Sequence, residues 1–104
     1  MSDIPEADWK HMRALQPTLI NRLCARINAR VSRIINDPAL THHERFLAMF
    51  AAIREENQNV AWAFDDWRRS TIRMRIIEIH RQGLFEPGEI AGLSDAMTQR
   101  LPGK

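Results

Sequence analysis

His42, His43 and Glu44 stand together, and imidazoles beside a carboxylate are ligands that a zinc ion takes. Their spacing argues against such a site. Adjacent residues on a helix point about 100° apart, and a helical two-histidine site needs i,i+3 or i,i+4 spacing for both rings to reach one ion. His11 and His80 lie far off in sequence. The expectation is no metal site, with His42 and His43 exposed in a first helical turn. Asp65-Asp66 followed by Arg68-Arg69 fails as a catalytic dyad for a related reason. Neighbouring carboxylates on a helix diverge, and Asp65 with Arg68 or Arg69 makes a surface ion pair worth roughly a few tenths of a kcal/mol. Ser32, Ser70 and Ser94 lack the glycine-flanked turn of a nucleophile elbow. Cys24 has no histidine at a suggestive position, and no glycine-rich loop is present to cradle a phosphate. No catalytic residue and no cofactor are expected, and the chain leans away from an enzyme.

The arginines are a different matter. Between Asp8 and Asp37 there is no acidic residue, yet Lys10, Arg13, Arg22, Arg26, Arg30 and Arg33 fall there. Arg22, Arg26, Arg30 and Arg33 sit at helical spacing and could follow a phosphate backbone; Arg68, Arg69, Arg73, Arg75 and Arg81 add a second cationic region. Such contacts would give salt-dependent, non-specific nucleic-acid binding. The next stretch answers with Asp37, Glu44, Glu55, Glu56, Asp65 and Asp66 against only Arg45 and Arg54. Segregated opposite charges within one small domain usually find each other. Pairing of the ridge with the acidic segment, of the same chain or of a partner subunit, is therefore preferred to nucleic-acid binding. A helix-turn-helix fits poorly, because the 36–40 connection contains Pro38 and the helix after it is acidic and aromatic.

These residues need helices to position them. Asp3 can cap a first helix, with Pro5 in its first turn and Glu6 at the capping-box position. That helix is expected to end near Gln16, since Pro17 disfavours a helical predecessor. Pro17 then starts a second helix that Asp37-Pro38 stops. On it Ile20, Leu23, Cys24, Ile27, Val31, Ile34 and Ile35 make one apolar stripe, with the arginine ridge beside it. Thr41-His42-His43-Glu44 reads as a capping box opening a third helix. Phe46, Phe50, Ile53, Val60, Phe64 and Trp67 keep one helical phase along it, and Asn57 falls on the same stripe. Either this helix runs unbroken for about forty residues, roughly 60 Å, or it breaks near Asn57–Asn59 into a hairpin. The usual helix length tips the balance to the break. Ile72, Ile76 and Ile79 make one further stripe while Trp67, Met74 and Ile77 lie on another side. Gly83 should end that helix as a left-handed cap, with Leu84 making the usual apolar contact. Glu86-Pro87 and Ser94 start short helices in the tail, which should fray from about residue 100.

At 104 residues, 44% apolar and 27% charged, the chain is long enough for one core, so residues 1–104 form a single domain. No period-2 alternation appears. The expected architecture is all-α, a bundle of four to five helices with a long central helix or a helical hairpin. The net charge of +2 is too small to imply a polyanion partner by itself. One cysteine excludes an internal disulfide, and Cys24 on an apolar face reads as a small hydrophobe. Acidic Asp3, Glu6 and Asp8 occupy the place of a signal peptide's basic start, and no apolar run approaches the ~20 residues that span a bilayer. A cytoplasmic protein with no membrane segment is expected. A helix apolar on two sides is either central in its own bundle or shared with a second chain. Trp62, Trp67, Ile72, Met74, Ile76, Ile77 and Ile79 are thus candidates for the interface of a homodimer, and Trp62, off the main stripe, is the aromatic expected at a contact. The function expected is protein–protein interaction.

Overall fold

Pro17 does not divide the first part of the chain. In a computed structural model, which describes residues 4–101, one helix, α1, runs Glu6–Ile35 straight through it. Proline removes the N–H that would bond the Arg13 carbonyl, a cost of ~3 kcal/mol in a helix interior. Here Arg13 and Pro17 both face solvent, so water can take the freed carbonyl. Met12 and Leu19, fully buried on the opposite side, hold both halves of the helix to the core, each contributing roughly 1.5–3 kcal/mol. The predicted boundary at Gln16 is thereby corrected. The cap predicted at Asp3 lies outside the described residues, and Pro5 occupies the N-cap position.

A tight connection turns the chain back. The Asp37 side chain accepts from Ala39 N–H at 2.9 Å, and its carbonyl accepts from Arg45 Nε and Nη2 at 3.0 and 2.8 Å. Helix α2, His42–Phe64, then opens on the predicted capping box: Glu44 N–H donates to Thr41 Oγ1 and Thr41 N–H to Glu44 Oε1. It passes Asn57–Asn59 without a break. Asn59 donates its side-chain amide to Glu56 at 2.9 Å instead of capping a new helix. The chain breaks later, at Asp66, which adopts φ 58°. Aspartate tolerates that left-handed region better than most residues. Thr71 Oγ1 donates to the Asp66 carbonyl and accepts from Arg68 N–H, which closes the turn before α3, Ile72–Arg81.

Helix α3 ends as its sequence predicts. Gly83 takes φ 69°, Gly83 N–H bonds the His80 carbonyl at 2.9 Å, and Leu84 N–H bonds that of Ile79 at 3.1 Å. This is the Schellman pattern, completed by burial of Leu84. Two short helices follow, α4 at Pro87–Ala91 and α5 at Asp95–Thr98, capped by Glu86 with Glu89 and by Ser94 respectively. Described residues contain no strand.

The result is a helical hairpin, α1 against α2, with α3–α5 packed on its base. The molecule measures 52 × 24 × 23 Å, since α1 alone spans ~45 Å at 1.5 Å per residue. The core sits at the base, where Met12, Leu19, Ile72, Ile76, Ile79 and Leu84 are fully buried. Leu101, expected at the start of a frayed tail, is buried there too; the rest of that tail lies outside the described residues.

Candidate interaction surface

The arginine ridge of α1 is turned inward to the chain's own tail. Arg22 donates to both oxygens of Glu89, at 2.7 and 3.1 Å, and to the Leu84 carbonyl at 2.6 Å. Arg26 grips the end of α3 through the Gln82 and Gly83 carbonyls. Arg30 bonds Glu55 and Glu56 of α2 at 2.6 and 2.8 Å. The pairing expected with the acidic segment therefore occurs at Arg30, while Arg22 and Arg26 staple the turn between α3 and α4. The Glu89 carboxyl is held below its ordinary range, chiefly by the Arg22 hydrogen bond. Glu56 is likewise lowered, first by the Asn59 amide and then by Arg30. Arg33 is exposed.

Much of the second cationic region is also engaged. Arg68 pairs with Asp66 and Arg81 with Glu78, while Arg75 donates to the Trp62 carbonyl at 2.9 Å. Arg69 pairs with Glu6 at 2.7 Å and lies over the Trp9 ring. The pairs expected between Asp65 and Arg68 or Arg69 do not form, because the helix has ended there and i,i+4 spacing no longer applies.

Opposite those staples the hairpin is apolar. Arg22 and Arg26 hold the α3–α4 turn on one side of α1; Asn59 and Trp62, whose carbonyls accept from Gln82 and Arg75, put α3 on the same side of α2. At 100° per residue, the Ile20–Ile35 stripe is about 150° round α1 from that ridge. The Phe46, Phe50 and Ile53 stripe is at least that far round α2 from Asn59 and Trp62. Both stripes consequently face away from α3 and form one surface. The seam between the helices explains why the large side chains turn outward. Ala52 and Ala63 are buried, with Ala48 on the same flank of α2, and alanines let two helices approach closely. Phe46, Leu47, Phe50 and Ile53 are left 50–60% exposed and Ile35 48%. Nearer the base the stripe closes on itself, because Trp67 folds back, stacks on Phe64 at 5.9 Å and donates its indole N–H to the Ala63 carbonyl.

The interface candidates read from sequence divide. Ile72, Ile76 and Ile79 are fully buried in the chain's own core, so they cannot meet a partner. Trp67 and Ile77 pack against the core while half-buried. Trp62 and Met74, 59% and 71% exposed, remain accessible and line a small concavity with Ile77, on the α3 side of the hairpin. The Phe46–Ile53 part of the surface was legible as an apolar stripe, though its exposure depends on where α3 goes.

A concavity of about 410 Å³ between α4 and α5 offers Asp95 as its titratable group, among Phe85, Ile90 and Leu93. His42 and His43 are exposed at the start of α2, and no three His, Cys, Asp or Glu side chains among the described residues are grouped to hold a metal ion. Among the same residues no helix is long and apolar enough to cross a membrane. One polar contact has no cue in the sequence. Asp8, 1% exposed, accepts from Ser94 N–H at 2.8 Å and Ser94 Oγ at 2.6 Å, tying the first turn of α1 to the cap of α5. A carboxylate in a first helical turn ordinarily reads as a solvated partner of the helix dipole. No protein-family model, curated protein or solved structure matches this chain.

Proposed function

We propose that this chain is a protein–protein interaction module whose working surface is the outer face of the α1–α2 hairpin. The observation that carries the reading is the cluster of half-exposed Phe46, Phe50 and Ile53 beside Ile35, with Leu47 next to Phe50 at its edge. Single exposed apolar residues need no explanation, but a contiguous patch of this kind marks a docking surface. Aromatic residues are also the type enriched at interface centres. The bonds of Arg22, Arg26 and Arg30 within the fold favour a structural use of the ridge over a phosphate-reading one. A photoreactive phenylalanine analogue at position 50, introduced in the cell that makes the protein, tests the reading. A discrete adduct is expected from position 50 and not from the exposed control position 14 at the other end of α1. Equal labelling from both positions would overturn it.

A further inference from the structure

We infer that the occupant of this face is a second copy of the same chain, packed face to face so that two hairpins close a four-helix bundle. The inference rests on the reading of the hairpin face as the working surface. Three features of that face point to self-association. The first is charge. On α1 it presents Cys24, Val31, Ile34 and Ile35, and on α2 Phe46, Met49, Phe50, Ile53 and Asn57, while Ile20, Ile27 and Val60 lie on the same stripes but are partly buried against the chain's own core. None of these residues is Asp, Glu, Lys, Arg or His, and the exposed His42 lies at the end of the α2 stripe. The α1 border, Asn21, Asn28 and Ser32, is polar but uncharged, and Arg54 on the α2 border lies over the Phe50 ring. A copy laid on a copy brings every group against its own kind, so a charged face would repel itself. This face does not.

The second feature is area. The stripe of sixteen residues from Ile20 to Ile35 is about 24 Å long, and two helices side by side are roughly 20 Å wide. That footprint projects to about 500 Å², which side-chain relief raises towards the ~800 Å² per partner of a standard stable interface. The third is architecture. An amphipathic helical hairpin with one bare face lacks the second layer that helical domains use to bury such a stripe, and four-helix bundles supply it from two hairpins. In an isologous dimer the same surface serves both sides. The tail helices then lie on the outer flanks, clear of the contact.

Sedimentation equilibrium of the purified full chain tests the proposal. The expected mass is twice that of the 12.1 kDa chain, falling to a single chain in Phe50→Asp with an unchanged far-UV helical spectrum. Phe50 is 55% exposed, so the substitution leaves the monomer's own core alone. Should Phe50→Asp unfold instead, the wild-type thiol gives an independent readout. Cys24 lies partly exposed on the face, and its alkylation should slow several-fold as protein concentration rises from low micromolar to ~100 μM. A wild-type chain that sediments as a monomer over that range, with a concentration-independent alkylation rate, overturns the second copy. A position-50 adduct with another protein would then leave the docking face standing. A dimer untouched by Phe50→Asp, with Cys24 equally reactive throughout, overturns the face and the inference together.

Discussion

Asp8 offers the most direct test of how the tail is held to the hairpin. Its carboxylate is 1% exposed and receives two hydrogen bonds from Ser94, from N–H at 2.8 Å and from the hydroxyl at 2.6 Å. Hydrogen bonds to a charged group contribute about 1.5–3 kcal/mol each, and leaving a buried donor without an acceptor costs about 1–3 kcal/mol. Two bonds to one carboxylate are not additive, and removal of the buried charge recovers part of its desolvation. The net cost expected for Asp8→Ala is therefore about 3 kcal/mol, a large share of the ~5–15 kcal/mol that a domain has. Asp8→Asn keeps one acceptor oxygen and should cost about half as much. Urea unfolding by circular dichroism, at one fixed protein concentration, measures both. Ser94→Ala completes a double-mutant cycle. Ser94 Oγ also accepts from Met97 N–H as the α5 cap, but that loss occurs in both backgrounds and cancels. A coupling energy above ~1 kcal/mol is expected between positions 8 and 94. If Asp8→Ala unfolds within ~0.5 kcal/mol of the wild type, or the coupling is near zero, the latch reasoning is wrong.

Gly92 has an ordinary helical φ of −78°, so alanine should gain ~1 kcal/mol from propensity. A Cβ there would however come within 2.4 Å of His11 Cε1 and dislodge the ring from the Glu89 carbonyl, which it meets at 2.8 Å. Gly92→Ala should lower the melting temperature in the wild type and raise it in a His11→Ala background; the same sign in both would refute the steric account. Gly83→Ala, at φ 69°, should cost about 1–2 kcal/mol in urea titrations. The Glu89 carboxyl is lowered by its Arg22 bond, so its stabilisation is complete above the unfolded glutamate value of about 4.3 and is lost as pH falls through the lower folded value. The stability gap between wild type and Arg22→Gln should accordingly narrow as pH drops from ~5 towards ~3, leaving the pH-independent share of the Leu84 carbonyl bond. A gap constant with pH would show that Glu89 gains nothing from Arg22.

Local chemistry was readable where it was self-contained. Thr41 with Glu44, Gly83 with Leu84, Pro87 and Ser94 set their helix ends through bonds to residues a few positions away. Pro17 misleads because its penalty is local while its remedy is not, depending on Met12 and Leu19 being buried by distant parts of the chain. Asp66 is passed over because a left-handed aspartate looks like any other until Thr71 and Arg68 close the turn around it. The stripes raise a subtler difficulty. Periodicity shows that Ile72, Ile76 and Ile79 share a face and that Phe46, Phe50 and Ile53 share another. It does not show which of them the chain itself will cover. That depends on where Arg22 and Arg26 anchor the tail, a long-range choice made by carbonyls that every residue possesses.

That anchoring also explains why one face stays bare. Helix α1 has its charged flank committed to the tail through Arg22 and Arg26, and a second flank committed to α2. The tail helices cannot reach round to the third. Helix α3, ten residues, spans only ~15 Å against the ~45 Å of α1, and the staples hold it on the far side. Covering Ile20–Ile35 and Phe46–Ile53 from within would take a further helix of about sixteen residues, with an apolar stripe of its own. The hairpin already carries two such stripes in matching orientation. In the proposed dimer a second copy would provide the missing layer with surface that the chain possesses, and the arginines that look like a binding site would act by keeping the tail off that face.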